Sequence, residues 1–356
     1  MKHALVFSPY FDTWGGGEVY TLSFAAALHQ LGYHITLAAP SSQVLADASK
    51  YLDISLQAEV NPQAYITLTS PNHIWSKYRL TKTYDLVFFL SDGSLPFLFG
   101  HTNIVHFQVP FTSLKRTFTT SLKLATIHHI VCNSRFTSTV IDRRLRVNST
   151  ILYPPVRLIN AKHQSKQNII LSVGRFTQTM HHKRQDILAT AFKKLIDQGL
   201  KNWQLVIAGS TTEKGSNQLV SKLKTELKGY PVEILTDISY AQVRDLYAKS
   251  KIFWLATGYD VNQTKHPEHV EHFGIATVEA MSAGCVPVVI NQGGQPEIVT
   301  DGVNGYLFNK VNELVSKTNQ LIKKPQLLSQ ISQEAISRSH KFSSDQFSIQ
   351  VKSLVS

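Results

Sequence analysis

The sequence predicts an α/β protein with two domains, each built on a parallel β-sheet that helices cover. Short apolar runs alternate with stretches of helical apolar spacing in both halves of the chain, which is typical of parallel sheets. The length of 356 residues suits about two domains. Between the halves, Pro154 and Pro155 interrupt regular structure, because proline fixes φ and lacks a backbone N–H. We therefore place the domain boundary between residues 155 and 156.

In the first half, the apolar runs predict strands, and the glycines after the first strand are candidates for a phosphate-binding loop. The predicted strands are 3–9, 34–39, 85–90, 103–107, 129–133 and 150–153, with helices at 18–31 and 43–52 and another that Ser134 caps. Gly15, Gly16 and Gly17 leave room for a ligand to approach the backbone. They match neither standard phosphate-loop motif, so a flexible turn remains the alternative.

His106 stands at the end of the predicted strand 103–107. Open α/β sheets bind ligands at the carboxyl ends of their strands, so this position favours a ligand contact. A single histidine is also commonly a structural side chain, and the sequence leaves both interpretations open.

Residues 111–127 form an amphipathic and partly basic stretch, in which apolar side chains alternate with Lys115, Arg116 and Lys123. The apolar members are Phe111, Leu114, Phe118, Leu122 and Leu124. Such a stretch can meet a membrane surface or an acceptor tail. The alternative is an ordinary packed helix with a solvated basic face.

The second half carries two cations beside its first strand. Its predicted strands are 169–173, 203–209, 232–235, 251–255 and 286–290, with a helix at 185–198. Arg175 follows the first strand, and Lys183 lies in a loop with His181, His182 and Arg184. Two cations near one strand end can clamp a diphosphate, which arginine grips with two hydrogen bonds and lysine as a point charge. The alternative is a solvated basic loop.

Glu271 and Glu279 stand eight positions apart around a short apolar run with one glycine. The pattern predicts a loop, then a helix over 277–283 and a buried strand. A helix N-terminus suits a phosphate, and carboxylates accept hydrogen bonds from sugar hydroxyls. These residues therefore fit a sugar attached to a phosphate, and the alternative is a surface acid followed by a solvated helix-face glutamate.

Composition narrows the function classes. The 36 basic and 24 acidic residues give a net charge of +12, which can attract nucleic acid, anionic lipid or a phosphate-bearing substrate. No zinc-finger, RRM or KH pattern favours nucleic acid. Cys132 and Cys285 lie in apolar runs and are expected to be buried thiols in a reducing cytoplasm. The first residues lack a signal-peptide pattern and no apolar run could span a bilayer, so we expect a cytoplasmic protein.

The C-terminal half resembles the family 4 glycosyltransferases, also described as glycosyl transferases group 1. Glu271 and Glu279 with seven residues between them resemble the E-x7-E signature, and the resemblance continues through 293–299 and 301–308. It implies a retaining enzyme of the GT-B fold, in which two Rossmann-like doubly wound parallel-sheet domains face a central cleft. It also implies that residues 1–155 form the acceptor side, that 156–339 bind the nucleotide sugar, and that 340–356 pack back on the first domain.

The resemblance assigns roles to single residues. Arg175 and Lys183 match the family's donor-diphosphate pair and would stabilise the leaving diphosphate. Glu271 is implied to hold the hydroxyls of the donor sugar, Glu279 those of the ribose, and His106 to approach the donor sugar. The other donor contacts that we predict are Gly15, Gly16, Gly17, Gly209, Phe273, Gly274, Ile275 and Ala276. No metal or other cofactor is expected, because the cations neutralise the leaving group.

Two segments point to one branch of the family. The motif 106–110 and the segment 265–274 resemble enzymes that build lipid-linked oligosaccharides from GDP-mannose. The predicted donor is therefore GDP-mannose or a UDP-hexose, and the acceptor is a lipid-linked sugar or a growing glycan. With the basic stretch 111–127, this predicts peripheral contact with an anionic membrane at its cytoplasmic face.

Other classes stay open at the level of sequence. One is a nucleotide-sugar-binding protein without turnover, which transfer assays would separate from an enzyme. Another is a basic nucleic-acid-binding protein, which a steep salt dependence of DNA affinity would support. A GT-B phosphorylase or epimerase is a further alternative, although we find no motif for the pyridoxal lysine that a glycogen-type phosphorylase would need.

Overall fold

The computed structural model describes residues 1–11, 15–52, 56–70, 73–161, 164–178 and 182–356, without the side chains of 49–52. His181 lies outside the described residues. The chain forms two compact units, residues 1–155 together with 344–356, and residues 156–343. Within the described ranges, no helix is both long and apolar enough to cross a membrane.

The regular elements alternate between strand and helix along most of the chain. The strands are β1 (Lys2–Phe7), β2 (Tyr33–Ala38), β3 (Glu59–Val60), β4 (Leu86–Leu90), β5 (Thr102–Phe107), β6 (His129–Cys132), β7 (Thr150–Ile151), β8 (Gln167–Val173), β9 (Gln204–Gly209), β10 (Val232–Thr236), β11 (Ser250–Leu255), β12 (Val286–Ile290) and β13 (Tyr306–Phe308). The helices are α1 (Gly16–Gln30), α2 (Gln43–Leu52), α3 (Pro62–Thr69), α4 (Ile74–Thr81), α5 (Phe118–Leu124), α6 (Arg135–Leu145), α7 (Gln185–Asp197), α8 (Ser216–Glu226), α9 (Tyr240–Lys249), α10 (Ile275–Ser282), α11 (Gln295–Ile298), α12 (Val311–Lys323), α13 (Pro325–Ser339) and α14 (Ser344–Val355).

The first unit is built on a seven-stranded parallel sheet in the order β3-β2-β1-β4-β5-β6-β7. Successive residues of β1 belong to two different hydrophobic clusters: Ala4 and Val6 to the one that includes residues of α1 and α14, Leu5 and Phe7 to the one that includes residues of α3 and α6. The sheet is therefore buried on both faces, which is why its strands read as continuous apolar runs. The last helix of the chain packs on α1 within this unit.

The second unit contains a six-stranded parallel sheet in the order β10-β9-β8-β11-β12-β13. One face carries a cluster around the fully buried Trp254, with residues of α7, α8 and α12. The indole Nε1 of Trp254 donates to Thr318 Oγ1 at 3.1 Å, which pairs the polar atom of this core residue. The predicted fold, two parallel-sheet α/β domains, is confirmed.

In both sheets the strand order reverses beside the unit's first strand. In the first unit β1 lies between β2 and β4, and in the second β8 lies between β9 and β11. Connections that leave adjacent strands toward opposite sides open a crevice at the carboxyl edge of a sheet, and open α/β proteins bind ligands there. The crevice in the second unit lies between the segments that follow β8 and β11.

Several short elements were not predicted. The helices α3 and α4 and the strands β3 and β13 are each eight residues or fewer. Within 111–127 only α5 is regular, and Leu114 is buried whereas Phe118 is 81% exposed. The prediction that Ser134 caps a helix is confirmed, because its Oγ accepts a hydrogen bond from the Thr137 N–H at 3.1 Å.

Candidate functional site

A cation from one strand end meets a carboxylate from the next at the carboxyl edge of the second sheet. Lys183 lies in the segment that follows β8 and Glu271 in the segment that follows β11, and these two strands are neighbours. The Lys183 Nζ lies 2.7 Å from Glu271 Oε2. Their side chains are only 15% and 19% exposed, so water screens this pair less than a surface pair. The structure thus brings together two of the predicted catalytic residues.

Gly174 makes room for the lysine. A Cβ at position 174 would lie 3.0 Å from Lys183 Cγ, closer than most side-chain contacts allow. The Gly174 N–H donates to the Ala208 carbonyl of β9 at 2.9 Å, which holds the end of β8 against its neighbour. The aliphatic part of Lys183 can therefore cross directly over the strand end on its way to Glu271.

Arg175 has a different partner and is more open to solvent. Its Nη1 lies 2.8 Å from Oε1 of Glu213, in the segment after β9, and the two side chains are 55% and 28% exposed. An exposed pair of this kind contributes only about 0–1 kcal/mol to stability. The guanidinium can therefore exchange this carboxylate for a ligand phosphate at little energetic cost.

Two glycines bring a neighbouring loop against Glu271. The Gly294 N–H donates to the Glu271 carbonyl at 2.8 Å, and the Gly293 N–H donates to Gln263 Oε1 at 2.8 Å. A Cβ on Gly293 would lie 2.1 Å from the Glu271 carbonyl oxygen, and one on Gly294 would lie 2.4 Å from that of His272. Any other residue would push this loop away, so the glycine pair fixes the position of the Glu271 backbone.

Gln295 braces the start of α10. Its Nε2 donates to the Phe273 carbonyl at 3.2 Å, and its Oε1 accepts from Thr277 Oγ1 at 2.9 Å. Gly274 precedes the helix with φ of +122°, and a Cβ there would lie 2.2 Å from Gln295 Nε2. The first N–H groups of a helix have no acceptor within it, so the backbone of Ile275 and Ala276 presents donors and a positive dipole end at a fixed place.

Phe273 can contribute only its backbone to a ligand site. Its side chain is 3% exposed and packs edge-to-face on Phe342, with ring centroids 5.4 Å apart. The ring therefore anchors the loop before α10 in the core of the second unit.

Glu279 lies one turn further along α10. Its Oε1 accepts a hydrogen bond from the Tyr240 hydroxyl, at the start of α9, at 2.8 Å. Burial raises the pKa of Glu279 to about 7, although the hydroxyls of Tyr240 and Tyr247 and the charge of Arg157 favour its ionised form. The carboxylate is thus poised to change its protonation state near neutral pH.

Gly209 has a packing role. It ends β9, and a Cβ there would lie 2.0 Å from the Gly174 carbonyl oxygen, so only glycine lets the two strand ends approach this closely. This close contact accounts for the glycine without a ligand, and its predicted contact with a donor stays a prediction.

The first unit holds the other predicted residues. Gly15 precedes α1, and its N–H donates to Oε2 of the buried Glu18 at 2.5 Å. Gly16 and Gly17 form the first turn of α1, and Gln108 Nε2 donates to the Gly16 carbonyl at 3.4 Å. The glycines therefore lie at the carboxyl edge of the first sheet, and their contact with a donor stays a prediction.

His106 ends up in the core of the first unit. Its ring is fully buried and stacks on Tyr20 with ring centroids 3.8 Å apart. Burial lowers the pKa of His106 to about 3, so the imidazole is neutral at physiological pH. A ring without exposed surface cannot touch a sugar in this conformation. The catalytic role of His106 stays a prediction, and it would require the side chains that cover the ring to move.

Sequence reasoning missed the residues that support the site. Glu213, Tyr240 and Gln295 come from separate elements, and no local pattern marks them as partners of Arg175, Glu279 and the loop before α10. It also missed a cluster of His266, Glu268 and His269, which lie within ligand distance of one another. The H-x-E-H spacing of this cluster is visible in the sequence and could have indicated a metal-binding turn.

The comparisons with known proteins identify relatives of the chain. Residues 158–338 match the family model described as glycosyl transferases group 1. The chain is similar to the GDP-Man:Man(3)GlcNAc(2)-PP-Dol alpha-1,2-mannosyltransferase of Dictyostelium discoideum, with 27% identity over 216 residues. The aligned region covers 56% of this chain and 40% of the Dictyostelium protein. The chain spans between 40% and 55% of the length of the first curated relatives that it matches.

Solved structures match the chain from end to end. A glycosyltransferase of Rickettsia africae superposes with a TM-score of 0.77 at 15% identity, over 99% of this chain and 97% of that one. The HepE protein of Anabaena, solved in complex with UDP-glucose, superposes with a TM-score of 0.68 at 18% identity, over 99% of both chains. These likenesses confirm the predicted GT-B fold.

Proposed function

Because this chain belongs to the glycosyl transferases group 1 family, we propose that it transfers a sugar from a nucleotide diphosphate sugar to an acceptor. The observation that carries the proposal is the 2.7 Å contact between Lys183 and Glu271, beside the N-terminus of α10. One edge of one sheet thereby offers a cation for a diphosphate, a carboxylate for sugar hydroxyls and helix N–H groups for a phosphate.

In the proposed reaction, the bond between the anomeric carbon and the diphosphate oxygen breaks, and the nucleoside diphosphate leaves with the bonding electron pair. The oxygen of an acceptor hydroxyl bonds to the anomeric carbon, and the proton of that hydroxyl passes to the departing diphosphate. Arg175 and Lys183 stabilise the charge that grows on this leaving group. Glu271 accepts hydrogen bonds from the donor sugar and Glu279 from the ribose. Two side-chain cations do the work that a metal ion performs in other transferases, so we propose transfer without a metal and, from the E-x7-E resemblance, with retention of configuration.

GDP-mannose is the donor that we propose first. The Dictyostelium relative is named for a GDP-mannose donor, and it shares 27% identity over 216 residues. A UDP-hexose is the second candidate, because Anabaena HepE, solved with UDP-glucose, has the same fold over 99% of both chains. Calorimetric titration with GDP-mannose and with a UDP-hexose distinguishes these two donors.

For the acceptor we propose a lipid-linked sugar that the first unit recognises. An exposed surface on α4 and α5 supports this: Trp75 is 75% exposed and Phe118 is 81% exposed. We call the surface formed by Trp75, Tyr78, Phe97, Phe99, Phe118 and Lys123 the α4–α5 surface. Exposed aromatic side chains beside cations are typical of proteins that lie on a membrane interface.

All members of the α4–α5 surface except Phe118 are linked by ring–ring or cation–ring contacts. Ring centroids lie 6.1 Å apart between Trp75 and Tyr78, and 5.2 Å apart between Tyr78 and Phe99. Phe97 lies 6.3 Å from Phe99, and the Lys123 Nζ lies 5.7 Å from the Phe97 ring. None of the residues of α5 is buried, so Phe118 is not a core residue of this unit. We therefore propose reversible docking to an anionic membrane at its cytoplasmic face.

A thermal-shift panel followed by a transfer assay tests the proposed function. A ligand at about 100 times its dissociation constant adds about 2.7 kcal/mol to the free energy of unfolding, which raises the melting temperature measurably. We expect GDP or UDP to raise it and the matching nucleotide sugar to be consumed when a lipid-linked acceptor is added. Absence of both effects across the common sugar nucleotides would contradict the proposal.

A further inference from the structure

A short 3₁₀ turn in the second unit, Pro267–His269, collects three ligands of the kind that bind transition metals. His266 Nδ1 lies 3.6 Å from Glu268 Oε1, and His269 Nε2 lies 3.7 Å from the same oxygen. The ligand atoms of the three residues all lie within 4.8 Å of one another. In a 3₁₀ turn, residues three positions apart point the same way, so the turn itself brings the two histidines together.

The spacing is close to that of a tetrahedral metal site. Zinc binds histidine nitrogen and carboxylate oxygen at about 2.0–2.2 Å, which places neighbouring tetrahedral ligands about 3.4 Å apart. The two distances to Glu268 Oε1 exceed this by only about 0.2–0.3 Å. Small rotations of two partly exposed imidazoles are enough to close the remaining gap.

Glu268 provides an independent reason to expect a cation. Its second carboxylate oxygen, Oε2, is buried and has no hydrogen-bond partner among the described residues. A buried polar atom without a partner costs about 1–3 kcal/mol, and more when it is charged. A cation bound at Oε1, the oxygen that faces the two histidines, would draw negative charge away from Oε2 and so lower that cost.

The backbone holds the three ligands in place. Asn262 Oδ1 accepts from the N–H groups of Thr264 at 3.1 Å and Lys265 at 3.2 Å, and the Asn262 carbonyl accepts from the His266 N–H at 2.9 Å. Pro267 is buried and has a fixed φ. His269 also borders a cavity of about 400 Å³ with His182 and Tyr259, which gives an ion a path of entry.

We propose that His266, Glu268 and His269 bind one Zn²⁺ ion, with water at the fourth position. Two imidazoles and one carboxylate favour zinc over magnesium or calcium, which prefer all-oxygen ligands. The fully buried Val270 links this turn to Glu271. The ion therefore braces the segment that carries Glu271, and it takes no part in neutralising the diphosphate, which the two side-chain cations do.

The test is a titration of the tag-free, metal-stripped protein with Co²⁺ and Zn²⁺. We expect one Co²⁺ per chain with the visible absorption of a tetrahedral site, displaced by Zn²⁺ and not by Mg²⁺. Loss of a supporting partner already costs metal sites about 10–100-fold in affinity, so His269→Ala and Glu268→Gln should each weaken Zn²⁺ binding at least about tenfold. His101→Ala, which removes an exposed histidine of the first unit, is the matched control and should bind normally.

Circular dichroism of each variant checks that it folds, so that a loss of zinc binding is not mistaken for unfolding. Glu268→Gln removes the carboxylate with little change of side-chain volume. Zinc binding that is equal in wild type, His269→Ala and Glu268→Gln would place the ion elsewhere and overturn the proposal. The absence of saturable 1:1 binding by the wild type would overturn it as well. Neither outcome depends on sugar transfer, so this test can fail while the proposed function stands, and the reverse also holds.

Discussion

Lys183 and Glu271, 88 residues apart in the chain, form an ion pair with 2.7 Å between Nζ and Oε2. Our proposal assigns both residues to the donor, the lysine to the diphosphate and the glutamate to the sugar. Without a donor they satisfy one another, which avoids leaving either charge unpaired in a partly buried place. Donor binding must therefore exchange this pair for two new contacts, and a single substitution disturbs both.

The first prediction concerns the cations. Lys183→Ala and Arg175→Ala should lower kcat by about 100-fold or more, because removing one group that stabilises developing charge costs about 10²–10³ in kcat. Turnover at saturating donor, together with the melting temperature of each variant, is the measurement. The exposed cation next to Glu213 supplies the matched control, and Lys214→Ala should turn over normally. Normal kcat in both test variants would place the diphosphate clamp elsewhere.

The second prediction concerns Glu279. Glu279→Ala should weaken donor binding by about 10- to 150-fold, since a hydrogen bond to a charged group contributes about 1.5–3 kcal/mol. Calorimetric titration of the donor measures this loss. Tyr240→Phe, which removes only the hydroxyl that Glu279 Oε1 accepts from, tests whether the carboxylate must also be held in position.

The same residue predicts a pH dependence. Burial raises the pKa of Glu279 to about 7 from an ordinary value of 4.5. Its stabilising contribution to the fold is complete below about pH 4.5 and is lost as the pH rises through about 7. In the proposed role, the ionised carboxylate is the stronger acceptor for ribose hydroxyls. Donor affinity should therefore increase from pH 6 to pH 8, while the ionised fraction rises from about one tenth to about nine tenths. If donor affinity still rises with pH in Glu279→Gln, the titration belongs to another group.

The third prediction is that transfer survives a chelator. Arg175 and Lys183 supply two positive charges at the strand end that the diphosphate would occupy, so we propose that no metal is required there. Initial rates with excess EDTA should stay within a few fold of those without it, because the zinc ion proposed for the turn before Glu271 braces that turn and touches no atom of the donor. Complete loss of activity that manganese or magnesium restores would reject metal-free transfer.

The fourth prediction concerns the α4–α5 surface. Each lysine or arginine near an anionic membrane contributes about 1 kcal/mol, so docking should be reversible and released by salt. Phe118→Ser, combined with Lys115→Glu at an exposed lysine three residues before this surface, should weaken co-sedimentation with anionic vesicles. Arg116 is a poor choice for this test, because its guanidinium donates to the carbonyls of Leu145 at 2.9 Å and Arg146 at 2.8 Å.

Neutral vesicles provide the lipid control for this experiment, and Ile349→Ser provides the protein control, because it removes another exposed apolar side chain of the first unit from α14. Wild-type protein that ignores anionic vesicles at low salt and transfers efficiently to a soluble sugar would contradict membrane docking.

Much of the fold could be predicted from local patterns. The strands β4 and β12 are continuous apolar runs that are buried throughout, and a pattern of this kind predicts a buried parallel strand directly. The helix α3 was missed because it is short, although Asn61 caps it and proline follows at Pro62. Such caps carry information even where the apolar period is too brief to detect.

The contacts within the site depend on sheet order, which a local pattern does not contain. Glu271 could be assigned to a strand end, but its pairing with Lys183 requires β8 and β11 to be neighbours. His106 was placed correctly at the end of β5, yet its burial depends on Tyr20, which comes from α1. The position of a residue at a sheet edge is therefore predictable, whereas its solvent exposure depends on which other elements pack against it.

The affinity of the nucleotide sugar relative to its nucleotide diphosphate, measured by calorimetry in wild type and Glu271→Gln, tests the central claim most directly. If Glu271 holds the donor sugar, wild type should prefer the nucleotide sugar, and Glu271→Gln should lose about 10- to 150-fold of that preference while still binding the nucleotide diphosphate. A preference that Glu271→Gln leaves unchanged, or a wild-type protein that binds no nucleotide diphosphate sugar, would contradict the account.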